Sequence, residues 1–228
     1  MIESVLEQNN AECFKTIMAE FAPKGGRILD VTAGHLQLWK DVLNQTYMIG
    51  GAVKRLYEPV FMDLRPLAGI DMVHDFTRPF TFIRNGVFDG IIFDPPYAGG
   101  KSFRVGEGVT LRGGRVWYKN IGGVRSQFEL GVTGSITFEH LRQAIPRIQV
   151  EFYRMLKPNG IIILKCSDFR EEGEVFPFTA YVYSKWHELF ALDGLIHQHI
   201  DTSGIKEKTH VRVAHNTWTV WRNRHIGR

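Results

Sequence analysis

Four consecutive residues, Asp94, Pro95, Pro96 and Tyr97, close the apolar run in "FDGIIFDPPYAGG", which stops at Gly99 and Gly100. A buried strand that ends by exposing a carboxylate, a stiffened backbone and an aromatic ring is an unfavourable arrangement unless it holds something flat and polar. The carboxylate accepts hydrogen bonds, proline fixes φ and so aims its carbonyl in advance, and the ring can stack on a planar ligand. The plain alternative is a turn, since Asp, Pro and Gly are all turn residues.

Acids at three other strand ends count against the plain turn. "LDVTAG" ends a strand in Asp30 and turns through Thr32, Ala33 and Gly34, offering backbone N–H groups and a close approach to a ligand. Nucleotide folds of several kinds share such a turn. This one lacks the later glycines of a dinucleotide fingerprint, because His35 and Leu36 follow Gly34. "PVFMDL" supplies Asp63, at about the separation expected of a ribose-binding carboxylate, although it could instead cap the turn before "RPLAG". "GIDMVHDF" supplies Asp75 and Phe76, an acid and a ring suited to an adenine's amine and face.

The elements that must position these residues alternate. A helix is expected around Ala11 to Phe21, then a strand at "RILDVTAG", a helix over "HLQLWKDVLNQ", and the three short apolar runs with their acids. A long amphipathic helix, interrupted or kinked near Pro146, ends in a Pro-Asn-Gly turn and leads into the buried strand "IIILKCSDF". "FTAYVYSKWHELFAL" reads as helical, and "LIHQHIDTS" with "HNTWTVWRNR" as two alternating strands. Strands alternating with helices imply an α/β fold, a mostly parallel sheet covered on both faces, with ligands outside the carboxyl ends of its strands.

Residues 98–134 break that rhythm with a Gly-rich, basic segment directly after Tyr97. From Ala98 to Ser126, Lys101, Arg104, Arg112, Arg115, Lys119 and Arg125 face the single acid Glu107, with Trp117 and Tyr118 among them. A loop this long inside a compact domain is expected to be functional. Its charge, with Arg222, Arg224 and Arg228 near the end, suggests a polyanion partner, while for any one residue a solvated surface is the plainer account.

Asp30-Val-Thr-Ala-Gly34, the acids at the two following strand ends, Asp94-Pro95-Pro96-Tyr97 and "LKPNG" together resemble the class I S-adenosylmethionine-dependent methyltransferases, and the tetrapeptide resembles that of their amino-methyltransferases. The resemblance spans nearly the whole chain. It implies a Rossmann-like three-layer sandwich, a seven-stranded, mostly parallel sheet closed by a C-terminal antiparallel hairpin. It implies S-adenosylmethionine as cofactor, its methionine part lined by Asp30, Thr32, Ala33 and Gly34, its ribose by Asp63 and its adenine by Asp75 and Phe76, with Asp94 shared between cofactor and substrate. Leu36 departs from the family, which often has a glycine there.

In that reading Asp94 and the Pro95 carbonyl accept the two N–H groups of an exocyclic amine and Tyr97 stacks on the base. In the family it resembles, an Asp at the first position goes mainly with adenine and a Ser mainly with cytosine. The expected activity is methylation of adenine in DNA, by a solitary enzyme or by the modifying half of a restriction pair. Lys101, Arg104, Arg112, Arg115, Trp117, Tyr118 and Lys119 would hold the nucleic acid. RNA base methylation, cytosine methylation, glutamine methylation and an inactive partner subunit are the alternatives.

One domain over residues 1–228 suits this length. No run approaches the roughly 20 apolar residues of a membrane span, and "MIESVLEQNN" is acidic and polar where a signal peptide is basic and then apolar, so a soluble, cytoplasmic protein is expected. Cys13 and Cys166 read as structural thiols. No metal is expected, since "HQH" at His197 to His199 fits alternation on a half-exposed strand as well as a ligand pair. A second copy or another subunit is admitted as partner.

Overall fold

The computed structural model describes residues 5–49, 52–95, 109–112, 115–118, 138–171, 174–199 and 215–224. Its main sheet has eight strands: β1 (Val5–Leu6), β2 (Gly26–Asp30), β3 (Tyr57–Asp63), β4 (Met72–Val73), β5 (Phe88–Phe93), β6 (Leu156–Cys166), β7 (Phe190–His199) and β8 (His215–Asn223). They lie in the order β1-β7-β8-β6-β5-β2-β3-β4. β8 runs antiparallel to both of its neighbours, and the remaining pairs are parallel. This is the expected mostly parallel sheet with its C-terminal hairpin, plus one strand. The addition, β1, is two residues long, too short to show a period of two in the sequence.

Three helices are described, α1 (Asn10–Phe21), α2 (Phe138–Met155) and α3 (Phe178–Trp186). Asn9 starts α1 with a capping box: its Oδ1 accepts from the N–H groups of Ala11 and Glu12, and the Glu12 carboxylate accepts from Asn9 N–H. α1 buries Cys13, Phe14, Ile17 and Met18 on one sheet face with Ile28, Phe61, Ile92, Ile163 and Trp218. α2 and α3 cover the other, where Leu29, Met62, Ile91, Phe93 and Leu164 meet Ile145, Phe152, Val182 and Trp186. Adjacent residues of one strand feed opposite cores, which is the period of two read through a sheet buried on both sides.

The helix expected over "FTAYVYSKWHELFAL" stops at Trp186, and Phe190 to Leu192 already belong to β7; three further expectations change. The segment "HLQLWKDVLNQ" is a run of turns and not a helix: the N–H groups of Leu36, Trp39, Val42 and Gln45 donate to carbonyls three residues back, at 2.9, 3.0, 2.9 and 3.0 Å. Leu36 has φ +58, a left-handed backbone that stops a right-handed helix. Second, the alternative of an interruption at Pro146 falls away, since α2 runs through it. Proline removes the N–H that would bond the carbonyl four residues back, that of Arg142, and the Tyr181 hydroxyl donates to this carbonyl at 2.8 Å. Third, β8 does not alternate: Asn216 to Trp221 are all buried, because the strand lies between β6 and β7 with both faces covered.

Of the insert, the backbone of an antiparallel ribbon is described, Val109–Arg112 paired with Arg115–Tyr118, Arg112 opposite Arg115 and Thr110 opposite Trp117. A second ribbon, Thr46–Ile49 with Ala52–Arg55, precedes β3 and exposes Met48 and Val53. Among the described residues no helix is long and apolar enough to cross a membrane.

The turn from α1 into β2 brings backbones into contact. Gly25 has φ +68, and a Cβ there would lie 1.9 Å from the Leu56 carbonyl oxygen. Gly86 has φ +64 with nothing within 4 Å of its Cβ position. Gly25→Ala should therefore lose about 3 kcal/mol or more and Gly86→Ala about 1 kcal/mol in urea unfolding. Equal losses would mean that the close approach at Gly25 does not limit the fold.

Candidate functional site

The strand order reverses between β2 and β5: the chain leaves β2 toward β3 on one side and β5 toward β6 on the other. A crevice at such a switch point, at the carboxyl ends of the strands, is where open α/β sheets take ligands. Asp30 ends β2, Asp63 ends β3, Asp75 follows β4 and Asp94 follows β5, so the tertiary fold brings to one edge four acids that are scattered along the chain.

The turn after β2 is held from two sides. Thr32 Oγ1 accepts a hydrogen bond from Asp94 N–H at 2.8 Å, Ala33 N–H donates to the Met62 carbonyl at 3.0 Å, and Gly34 N–H donates to Asp63 Oδ2 at 3.0 Å. Gly34 has φ +54, a conformation glycine adopts without strain. Leu36 adopts a similar left-handed backbone at φ +58. The departure from the family's frequent glycine therefore changes the side chain and keeps the glycine-like backbone.

Asp30 is 1% exposed. Its Oδ1 accepts from Thr32 N–H at 3.0 Å and its Oδ2 from the Trp39 indole N–H at 2.8 Å. Burial pushes its carboxyl up to about 7, the bonds from Trp39 and Thr32 pull it back, and the charges of Asp94 and Asp63 add to the rise. Asp63 Oδ1 accepts from Arg65 N–H at 2.9 Å and from Arg65 Nε at 3.0 Å. With Gly34 that makes three bonds from the described residues on a carboxylate that has about four acceptor sites, which leaves capacity there for a further donor. Asp75 accepts from Thr77 N–H at 2.8 Å and from Thr77 Oγ1 at 2.7 Å. Phe76 is buried, its ring edge-on to that of Phe93 at 5.2 Å.

Asp94 Oδ2 accepts from Lys165 Nζ at 3.1 Å, and these side chains are 24% and 10% exposed. The Lys165 ammonium also lies 5.6 Å from the centroid of the Trp218 ring. Trp218 Nε1 donates to Gln198 Oε1 at 2.9 Å, and Gln198 Nε2 donates to the Gln8 carbonyl at 2.7 Å. Pro95 is buried. Pro96, Tyr97, Lys101, Arg104 and Lys119 lie outside the described residues; Arg112, Arg115, Trp117 and Tyr118 are described by backbone alone.

Sequence reasoning assembled the four acids but missed two of their partners. Trp39 falls in the segment read as a helix, and Lys165, in "IIILKCSDF", reads either as a group that substrate or cofactor could meet or as a strand-end charge. The available signal was register: Leu164 pairs with Phe93, so a lysine one residue further along β6 falls beside the acid that follows β5. His197 Nδ1 lies 3.2 Å from Thr217 Oγ1. Among the described residues no group of three His, Cys, Asp or Glu side chains is arranged to hold a metal ion.

Solved structures share this architecture. The N-methyltransferase NodS from Bradyrhizobium japonicum WM9, crystallised with S-adenosyl-L-homocysteine, matches with a TM-score of 0.51 at 10% identity, over 93% of this chain and 86% of its own. A Burkholderia thailandensis 1,6-didemethyltoxoflavin-N1-methyltransferase, with its namesake and S-adenosylhomocysteine bound, matches at 0.50 and 11% identity over 95% and 79%. TrmN from Thermus thermophilus matches at 0.50 and 13% identity, over 92% of this chain and 48% of its own. No family model and no curated protein matches the sequence. The chain has the Rossmann-like fold of the class I methyltransferases.

Asp30 also couples this site to pH. Its carboxyl rises from an ordinary 3.8 to about 7 on folding, so the folded state holds a proton that the unfolded state releases. The associated stability is fully present below 3.8 and is lost as pH rises to about 7. The stability difference between the wild type and Asp30→Asn should therefore fall across that window and level off above it. A difference independent of pH would remove Asp30 as the cause.

Proposed function

We propose that this chain methylates the exocyclic amine of adenine in DNA, with S-adenosylmethionine as methyl donor. The observation that carries the reading is the bond from Asp94 N–H to Thr32 Oγ1. It sets the start of the Asp-Pro-Pro-Tyr segment against the turn that, by resemblance, receives the cofactor.

The residues fit the donor's chemistry. S-adenosylmethionine supplies an electrophilic methyl group on a cationic sulfur. Asp30, Asp63 and Asp94 bring carboxyl groups to the same strand ends, and Asp63 retains acceptor capacity suited to ribose hydroxyls. Asp75 and Phe76 are assigned to the adenine ring. Asp30, enclosed and already accepting two bonds, is assigned to shaping the Thr32-Ala33-Gly34 turn.

A nucleobase amine is a poor nucleophile because its lone pair is delocalised into the ring. Asp94 and the Pro95 carbonyl are assigned to accept its two N–H bonds, both of which strengthen as the nitrogen gains positive character and becomes tetrahedral. The nitrogen would gain the methyl carbon as that carbon's bond to the cofactor's sulfur breaks, and would release one proton to solvent. Tyr97 is assigned to stack on the base. Positioning and electrostatics carry the rate, and no covalent enzyme intermediate is needed.

The basic composition of residues 98–134 supports a nucleic-acid substrate, with Arg112 and Arg115 meeting at one end of the described ribbon. Duplex DNA would have to present its base unstacked, at a cost of a few kcal/mol. Two free, buried cysteines suit a cytoplasmic location.

Nucleoside mass spectrometry on unmethylated DNA and on total RNA, each incubated with the protein and S-adenosylmethionine, should yield methyladenine as the deoxyribonucleoside. A ribonucleoside or methylcytosine product would keep the clamp and change the substrate. Asp94→Ala should abolish transfer and leave S-adenosylhomocysteine binding within a few-fold, whereas equal loss of both would misplace the clamp. Arg112→Ala with Arg115→Ala should flatten the salt dependence of DNA binding by a slope of about 2; an unchanged slope would remove the ribbon from phosphate binding.

A further inference from the structure

We propose that Lys165 is a second recognition group of the same clamp, whose ammonium donates to the ring nitrogen beside the amine that Asp94 accepts from. This rests on the amine-methylation reading above. β5 and β6 are parallel neighbours with Leu164 opposite Phe93, so Asp94 and Lys165 leave adjacent strand ends side by side, Nζ lying 3.1 Å from Oδ2. One group accepts hydrogen bonds and the other only donates.

That pair complements an edge on which an N–H donor stands next to an acceptor. Adenine presents N6–H beside N1, and cytosine presents N4–H beside N3. Guanine's amine stands between N1–H and N3, and on its Watson–Crick edge an ammonium aimed at N1 meets a second donor. Lys165 therefore supplies a selection that Asp94 and a proline carbonyl, both acceptors, cannot make: these require an amine, and Lys165 requires the acceptor next to it.

The lysine is held as a recognition group must be. An ammonium with a side chain only 10% exposed needs partners, and it has the Asp94 carboxylate on one side and the Trp218 ring, 5.6 Å away, on another. Trp218 is fully buried, fixed by Gln198, which is tied to Gln8. An ammonium has three donors on one nitrogen, so bonding Asp94 and a base together is within its chemistry. The competing account is that Lys165 only balances the Asp94 charge. In that case its loss would weaken every substrate alike.

The test uses two chemically synthesised random-sequence DNA pools, one with adenine and one with 1-deazaadenine, in which C–H replaces N1. Binding is measured with S-adenosylhomocysteine present, and transfer with S-adenosylmethionine. The replacement also weakens base pairing, equally for every protein variant, so the quantity read is the adenine-to-deazaadenine ratio of each variant relative to wild type. Removing a charge-assisted bond should make the wild-type ratio roughly 10- to 100-fold larger than that of Lys165→Met. Lys165→Arg, which keeps charge and donors, should retain most of the wild-type ratio. Should Lys165→Met fail to fold, Lys165→Leu, which likewise removes every donor, makes the same comparison. Equal ratios in wild type and variant would overturn the inference and leave the amine reading standing; a wild type that methylates no adenine in the first pool would overturn both.

Discussion

The hydrogen bond from the Asp94 backbone N–H to Thr32 Oγ1 joins the ends of β2 and β5 where the order of strands reverses. Parallel strands diverge from their pairing at such a point, and the backbone beyond the last ladder bond would face solvent without a partner. Here it is bound instead. Thr32 takes the N–H of Asp94, the Asp30 carboxylate takes that of Thr32, and Asp63 takes that of Gly34. Three strand-end segments are thereby held in one frame, and the side chains proposed for ligand and substrate inherit their positions from it.

The acids serve that frame first. Asp30 and Asp63 hold backbone N–H groups at the turn that joins β2 to the following segment, so removing either carboxylate alters geometry as well as charge. Buried carboxyl groups are tolerated because they are hydrogen-bonded, and where burial outweighs those bonds, as at Asp30, the carboxyl rises toward neutrality. Asp94 has a different environment: partly exposed, paired with an ammonium and just past the end of β5. Two carboxylates at neighbouring strand ends are thus prepared for different tasks, one enclosed and structural, the other available to a substrate in the proposed reaction.

The two aromatic cores support this division. On one face Trp39 packs edge-on against Phe14 and Phe61 while its indole N–H reaches Asp30. On β8, Trp218 faces the α1 core beneath Lys165, and Trp221 faces the α2 and α3 core against Trp186. Large rings with one polar atom are suited to this work, since the ring anchors in the core and the N–H emerges at a defined place.

The sequence by itself determined the alternation of strands and helices, the two-faced burial of the central strands and the placing of Asp30, Asp63, Asp75 and Asp94 at strand ends. These follow from periodicity and turn chemistry, which act over a few residues. Tertiary structure alone decided what each acid bonds to, because Asp30 meets Trp39 and Asp94 meets Lys165 through register between segments far apart in the chain or through an irregular turn. The same cause explains the misread helix. Trp39, Val42 and Leu43 have helical spacing, yet the left-handed Leu36 and the pull of Asp30 on the Trp39 indole favour a chain of turns. Local propensity is worth tenths of a kcal/mol per residue, and a buried, charge-bearing hydrogen bond with its packing outweighs it.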